Sequence, residues 1–209
     1  MRLADGFGGR HDRFGTVSEI GPIGDGTFVG EYIGCMQVFW PSVLTALTAA
    51  GAILLITAGA AHAARPPAHR AVLRAHRLVP PNWPPFVAAV TACAELLVGA
   101  TVLFVLVTAS TSRVAVAAQG VLYCAFAGYA TVLRTRRPGM PCGCFGAERV
   151  SWAVVFRAVV LAAGTAGYGV LGPVPDRWPC VAAGVVLAMA NHLIPAWRGI
   201  VVGKPGREG

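Results

Sequence analysis

Long uncharged apolar runs alternate with short basic segments along most of this chain. The first run covers residues 38–61 without a single charge, and others cover 86–108, 114–133, 152–171 and 179–196. A hydrocarbon core about 30 Å thick needs roughly 20 apolar residues in helical form, so the pattern predicts five transmembrane helices, the last one short. Between the first two runs stand Arg65, Arg70, Arg74 and Arg77, interspersed with Val72, Leu73 and Leu78 and closed by Pro80-Pro81-Asn82-Trp83-Pro84-Pro85. That mixture predicts a short helix lying in the interface, with Trp83 at the headgroup level. Ser151 is placed to cap the fourth span, and Gly172, Pro173 and Pro175 to end it. Trp178 and Trp197 flank the fifth. Gly120, Gly128, Gly164, Gly167 and Gly184 fall within spans and predict close helix–helix contacts.

Residues 1–36 differ from the rest, being polar and Gly-rich with no apolar core. Two readings are open: a disordered tail, or an upstream extension before a true start at Met36, which directly precedes the first span. The chain therefore divides into a tail (1–36), a membrane domain of four helices (37–172), and a fifth helix with a basic end (173–209).

Composition supports lipid as the solvent. Of 209 residues, 56% are hydrophobic and 12% charged, and the mean hydropathy is +0.63; a soluble domain carries about 25% charged residues. The net charge of +8 sits at span ends without aromatic–basic interleaving, which excludes a nucleic-acid surface. Six cysteines, several of them inside apolar runs, do not make a disulfide scaffold. The first loop, the loop at 134–151 and the C-terminal end hold most of the arginines and lysines. The positive-inside rule accordingly puts that side in the cytoplasm.

The candidate chemistry lies in the loop Pro141-Cys142-Gly143-Cys144-Phe145-Gly146. Two thiols one residue apart close only a tight, strained disulfide, and strain makes a disulfide oxidising and easily exchanged. Arg134, Arg136, Arg137 and Arg149 nearby favour the thiolate. A zinc site would need ligands the loop lacks, although two thiolates suit a transient copper(I) ion.

Beneath the loop, Glu95 is the only acid inside a span, roughly 15 Å from its helix start, and Arg157 lies roughly 8 Å into the next. Their depths predict a Glu95–Arg157 pair, either a structural ion pair or a proton-relay carboxyl with its holder. Cys93 and Cys124 fall at similar depth, about 12 and 14 Å, as packing residues or a second thiol pair. Cys35 and Cys180 fall at the opposite face with nothing else to pair them. His62 and His192, near span ends, read as interfacial residues.

Three segments together resemble the methylamine-utilisation MauE family, which is related to DoxX-like membrane proteins. They are Ala58-Gly59-Ala60-Ala61 with Arg65-Pro66, then Arg77-Leu78-Val79-Pro80 leading to Ala94-Glu95-Leu96-Leu97-Val98-Gly99, and finally Cys142-Gly143-Cys144-Phe145-Gly146 with Arg157. The resemblance implies an all-α polytopic membrane bundle, a DoxX-like four-helix core here followed by a fifth C-terminal helix. It departs at His62, where the family usually has lysine, and at Ala158, where it tends to have asparagine. It implies a role in maturing a disulfide-rich exported subunit, methylamine dehydrogenase in the family's eponymous case.

The expected function is therefore thiol–disulfide exchange in the cell membrane by Cys142 and Cys144, with Glu95 tuning protons and Arg157 holding Glu95. The expected partners are lipid and an exported disulfide-containing protein or a thiol-redox partner. No cofactor is fixed by the sequence; a quinone or a thioredoxin-like electron partner would reoxidise such a pair. A non-catalytic membrane chaperone or scaffold and a carrier of a soft metal or small molecule are the alternatives. Disulfides are made outside the cytoplasm, whereas the charge rule turns the loop inward. A loop dipping into the bundle, electron relay across the bilayer, or an exception to the charge rule would each reconcile the two.

Overall fold

A computed structural model describes residues 27–110, 112–140 and 150–202, and side chains over 38–110, 112–140 and 150–193. Six helices and no strand occur among the described residues: α1 (Thr27–Ala64), α2 (Pro66–His76), α3 (Pro84–Thr108), α4 (Arg113–Arg136), α5 (Trp152–Leu171) and α6 (Trp178–Val202). The expected helical membrane bundle is the observed one. Four helices are long and apolar enough to cross a membrane, namely Val38–Ala64 within α1, α3, α4 and α5; α6 contributes the shorter apolar stretch Trp178–Leu193.

The chain's punctuation explains the boundaries. Pro66 and Pro84 occupy first helical positions, where a missing N–H costs nothing and φ is already set. The Ser112 hydroxyl accepts a bond from the Ala115 N–H at 3.3 Å and caps α4. Ser151 stands at the equivalent position of α5, but its side chain makes no capping bond; instead its carbonyl accepts from Val154 and Val155. At the other end α1 begins at Thr27, ahead of its apolar segment, so helix reaches back into the stretch assigned to the polar tail.

Helix α1 lies at the centre, packed against α3, α5 and α6, while α4 packs on α5 and α3. With lipid as solvent, association depends on close packing, and small residues provide it. A Cβ added at Gly164 would come within 2.7 Å of Leu47 Cβ, and one at Gly184 within 2.6 Å of Ala49 Cβ. Gly120 and Gly128, expected to act likewise, have nothing within 4 Å. Buried hydroxyls turn back onto their own helices, as Thr45 does to the Pro41 carbonyl (2.7 Å) and Thr48 to that of Leu44 (2.7 Å), because no water is present to receive them. Outward faces carry Phe86, Leu97, Phe104, Val121 and Phe156, all exposed to the position of lipid tails.

The short helix α2 is two-faced. His69, Leu73 and His76 are buried against the bundle, while Arg70 and Arg74 point outward, as an interfacial helix requires.

Candidate functional site

Glu95 on α3 is fully buried, and the structure gives its carboxylate His62, not Arg157, as partner: His62 Nδ1 lies 2.7 Å from Glu95 Oε2. The reason lies in where the helices end. Gly59 sits level with Glu95, since a Cβ there would be 2.9 Å from Glu95 Cβ. Helix α1 continues only to Ala64, roughly 8 Å beyond that level, whereas α3 starts at Pro84, roughly 16 Å away. The first helix thus stops short, α2 fills the notch, and His62 becomes a buried residue instead of an interfacial one. The ring of His69 on α2 stacks on His62, centroids 3.8 Å apart and 19° from parallel. On the same helix, His76 Nδ1 lies 2.6 Å from the Tyr129 hydroxyl, which ties α2 to α4.

Glu95 and Arg157 do share a space. A cavity of ≈ 50 Å³ runs between the four core helices, walled chiefly by Leu54, Leu55, Tyr123, Phe126, Tyr129 and Leu161, with Glu95 and Arg157 as its charged members. Arg157 Nη1 donates to Asn191 Oδ1 on α6 at 3.4 Å. Among the described residues Glu95 Oε1 has no hydrogen-bond partner. The cavity exceeds the roughly 10–15 Å³ that one water needs, but its walls are almost wholly apolar.

On its far side the bundle is pinned by Gln119, fully buried, whose amide donates to the Thr48 carbonyl and to Thr165 Oγ1, both at 3.0 Å. The Tyr123 hydroxyl donates to the Gly51 carbonyl at 2.8 Å. These bonds hold α4 and α5 on α1, so the cavity wall is fixed by polar contacts as well as by packing.

Cys142 and Cys144 lie outside the described residues. The ends of their loop do not: the Val150 N–H donates to the Met140 carbonyl at 3.0 Å. Met140 and Val150 pack with Leu133, Val154, Tyr129 and Ala130, the last three of which line the cavity or its rim. Cys93 and Cys124 are both free and exposed on outward faces, and so do not pair; Cys180 is buried and free.

His69 carries a pH dependence. Burial, and then the neighbouring His62 and His76, pull its pKa from 6.5 to about 4. Between those values the unfolded chain binds a proton that the folded chain refuses. Stability contributed by neutral His69 is therefore full above about 6.5 and falls as pH drops towards about 4. Thermal unfolding in detergent should show a midpoint declining through this window. The His69→Phe variant, which keeps a ring against His62, should show a shallower decline; an unchanged slope would contradict the assignment.

Of the residues that sequence alone suggested, Glu95 and Arg157 come together at one cavity, whereas His69 and Gln119 were not suggested and His62 was read as interfacial. The spacing His69, Leu73, His76 on α2 was the available signal, because i, i+4, i+7 marks one helix face. No curated protein and no solved structure gives a significant match to the chain. A family model does, that of "Methylamine utilisation protein MauE", over residues 41–172, from the apolar part of α1 to the end of α5. With that match covering well over half its length, and with a multi-pass bundle of membrane helices beneath it, the chain belongs to the MauE family.

Proposed function

We propose that this protein performs thiol–disulfide exchange in the cytoplasmic membrane and thereby assists disulfide formation or maturation in an exported partner. By family, we assign that partner to methylamine metabolism. The observation that supports the reading is the clasp between Met140 and Val150. It ties both ends of the segment carrying Cys142 and Cys144 beside the cavity where Glu95 and Arg157 meet.

In this reading a partner thiolate attacks the Cys142–Cys144 disulfide. Its S–S bond breaks, a mixed disulfide forms, and one cysteine leaves as a thiolate. A second partner thiolate then attacks the mixed disulfide. The partner disulfide forms, and Cys142 and Cys144 are left reduced, having taken up two electrons, with the two protons of the partner thiols transferred to them. Reoxidation returns two electrons and two protons to a quinone or a thioredoxin-like acceptor. The tight Cys-Gly-Cys ring favours reduction, and Glu95 serves as a group that takes a proton inside the membrane.

Single variants test this. Cys142→Ser or Cys144→Ser should trap a mixed disulfide with a partner in native membranes, visible as a higher-mass species that reductant removes. The species should be absent from the double variant. Full maturation of the partner by the double variant would overturn thiol exchange and leave a scaffold.

A further inference from the structure

We propose that His62 and His69 form the proton route between Glu95 and the aqueous phase on the α2 side of the membrane. The purpose assigned to the route rests on the thiol chemistry above; its geometry does not.

Glu95 is fully buried and sits roughly 16 Å along α3 from Pro84. Its cavity is walled mainly by apolar and aromatic side chains, so a proton cannot reach it through hydrocarbon. The way past is the notch left where α1 stops. His62 touches the carboxylate at 2.7 Å, His69 covers His62 at 3.8 Å, and His69 belongs to a helix whose other face carries exposed Arg70 and Arg74. Two side chains thus lead from the buried carboxyl to the inner face of α2.

Histidine is the side chain best suited to such a place, because each ring can take a proton on one nitrogen and release one from the other. Stacked rings do not pass protons through their faces; their nitrogens lie on the edges. Among the described residues neither nitrogen of His69 has a hydrogen-bond partner although the residue is nine-tenths buried, and water is the usual partner of such atoms. In the proposed route a water admitted along the ring edges carries the proton between them. The low proton affinity of His69 means that it hands a proton on and does not keep it.

Among the described residues, Tyr123 and Tyr129 on α4 and Arg157 on α5 line the Glu95 cavity, and His76 shares the buried face of α2 with His69. His192 on α6 hydrogen-bonds Thr57 at 3.0 Å, on the exposed side of α1. Tyr129 is held by His76 and Tyr123 by Gly51.

Infrared spectroscopy of the full chain in lipid nanodiscs reads the route directly. After rapid acidification the C=O stretch of protonated Glu95, identified by its loss in Glu95→Gln, should grow in. His69→Phe preserves the ring stack and should slow that growth on the order of a hundredfold, the scale of a lost proton-transfer group, with the final amplitude kept. His62→Gln, which retains a hydrogen-bonding side chain, should slow it comparably. A wild-type rate in His69→Phe would overturn the proposal. The same measurement in Cys142→Ser/Cys144→Ser separates the two ideas. Unchanged Glu95 kinetics would support the route whether or not thiol exchange survives, whereas a rate that collapses with the cysteines would overturn it and put proton entry at the loop.

Discussion

His62→Ala should destabilise the folded bundle by about 3–5 kcal/mol, the usual cost of leaving one member of a buried pair alone. The wild-type carboxylate has one oxygen partnered by His62 and one without a hydrogen-bond partner among the described residues. Removing the imidazole leaves Glu95, fully buried, without a hydrogen-bond partner among the described residues. Glu95→Gln should cost less, about 1–3 kcal/mol, because an amide is cheaper to bury unpaired than a carboxylate. The double variant His62→Leu/Glu95→Leu should recover most of the loss, since apolar residues of similar volume commonly replace buried pairs without penalty. Reversible unfolding in mixed micelles measures all three, and His62→Leu and Glu95→Leu singly complete the cycle that isolates the pair. If His62→Ala unfolds within about 1 kcal/mol of wild type, the pair is not a structural element. The lysine that the family usually carries at the end of the first helix could meet the same carboxylate, so His62→Lys should retain more stability than His62→Ala.

That pair also shows where sequence reading stops. The spans were legible because apolar length is one-dimensional information: α3, α4 and α5 begin and end within about three residues of the predicted runs. The interfacial helix was legible from arginines alternating with Val72, Leu73 and Leu78. Glu95 stood out as a lone acid in a span, and Arg157, expected to pair with it, lines the same cavity. Its partner was misassigned because depth was measured as though all helices started level. The recess at the end of α1 is a tertiary property, set by how α2 folds back, and no spacing along α1 encodes it. Gly59 was visible, but its closeness to Glu95 was not. Gln119 escaped for a related reason: a neutral amide in a span carries no charge to draw notice, and its value lies in reaching Thr48 and Thr165 on other helices. Ser151 shows the converse, a residue of capping type at a capping position whose side chain does not cap.

The glycines make the same point with a larger consequence, and they yield the second strong expectation: Gly99→Val should cost about 3 kcal/mol, at the upper end of overpacking penalties, and should weaken the site as well as the fold. A Cβ on Gly99 would fall 2.7 Å from the Ala52 carbonyl oxygen, 2.9 Å from Ile56 Cγ1 and 3.1 Å from the Ile56 nitrogen. Two of these three are backbone atoms of α1, which cannot rotate aside as a side-chain tip can, so α1 and α3 must separate. Without a hydrophobic drive between helices in lipid, separation forfeits close dispersion contacts with no compensating gain. Gly99 lies one turn beyond Glu95 on α3, and Gly59 faces Glu95 from α1, so the same spacing sets the 2.7 Å contact between His62 and Glu95. Widening it stretches that bond. Gly128→Ala is the matched control, because nothing lies within 4 Å of its Cβ position; it should be neutral or slightly stabilising, by up to about 1 kcal/mol of helix propensity. Unfolding midpoints for the two variants, with the Glu95 infrared band as the local readout, test the expectation. Equal stability of Gly99→Val and Gly128→Ala would mean that the α1–α3 contact is looser than 2.7 Å implies, and that close approach does not position the buried pair.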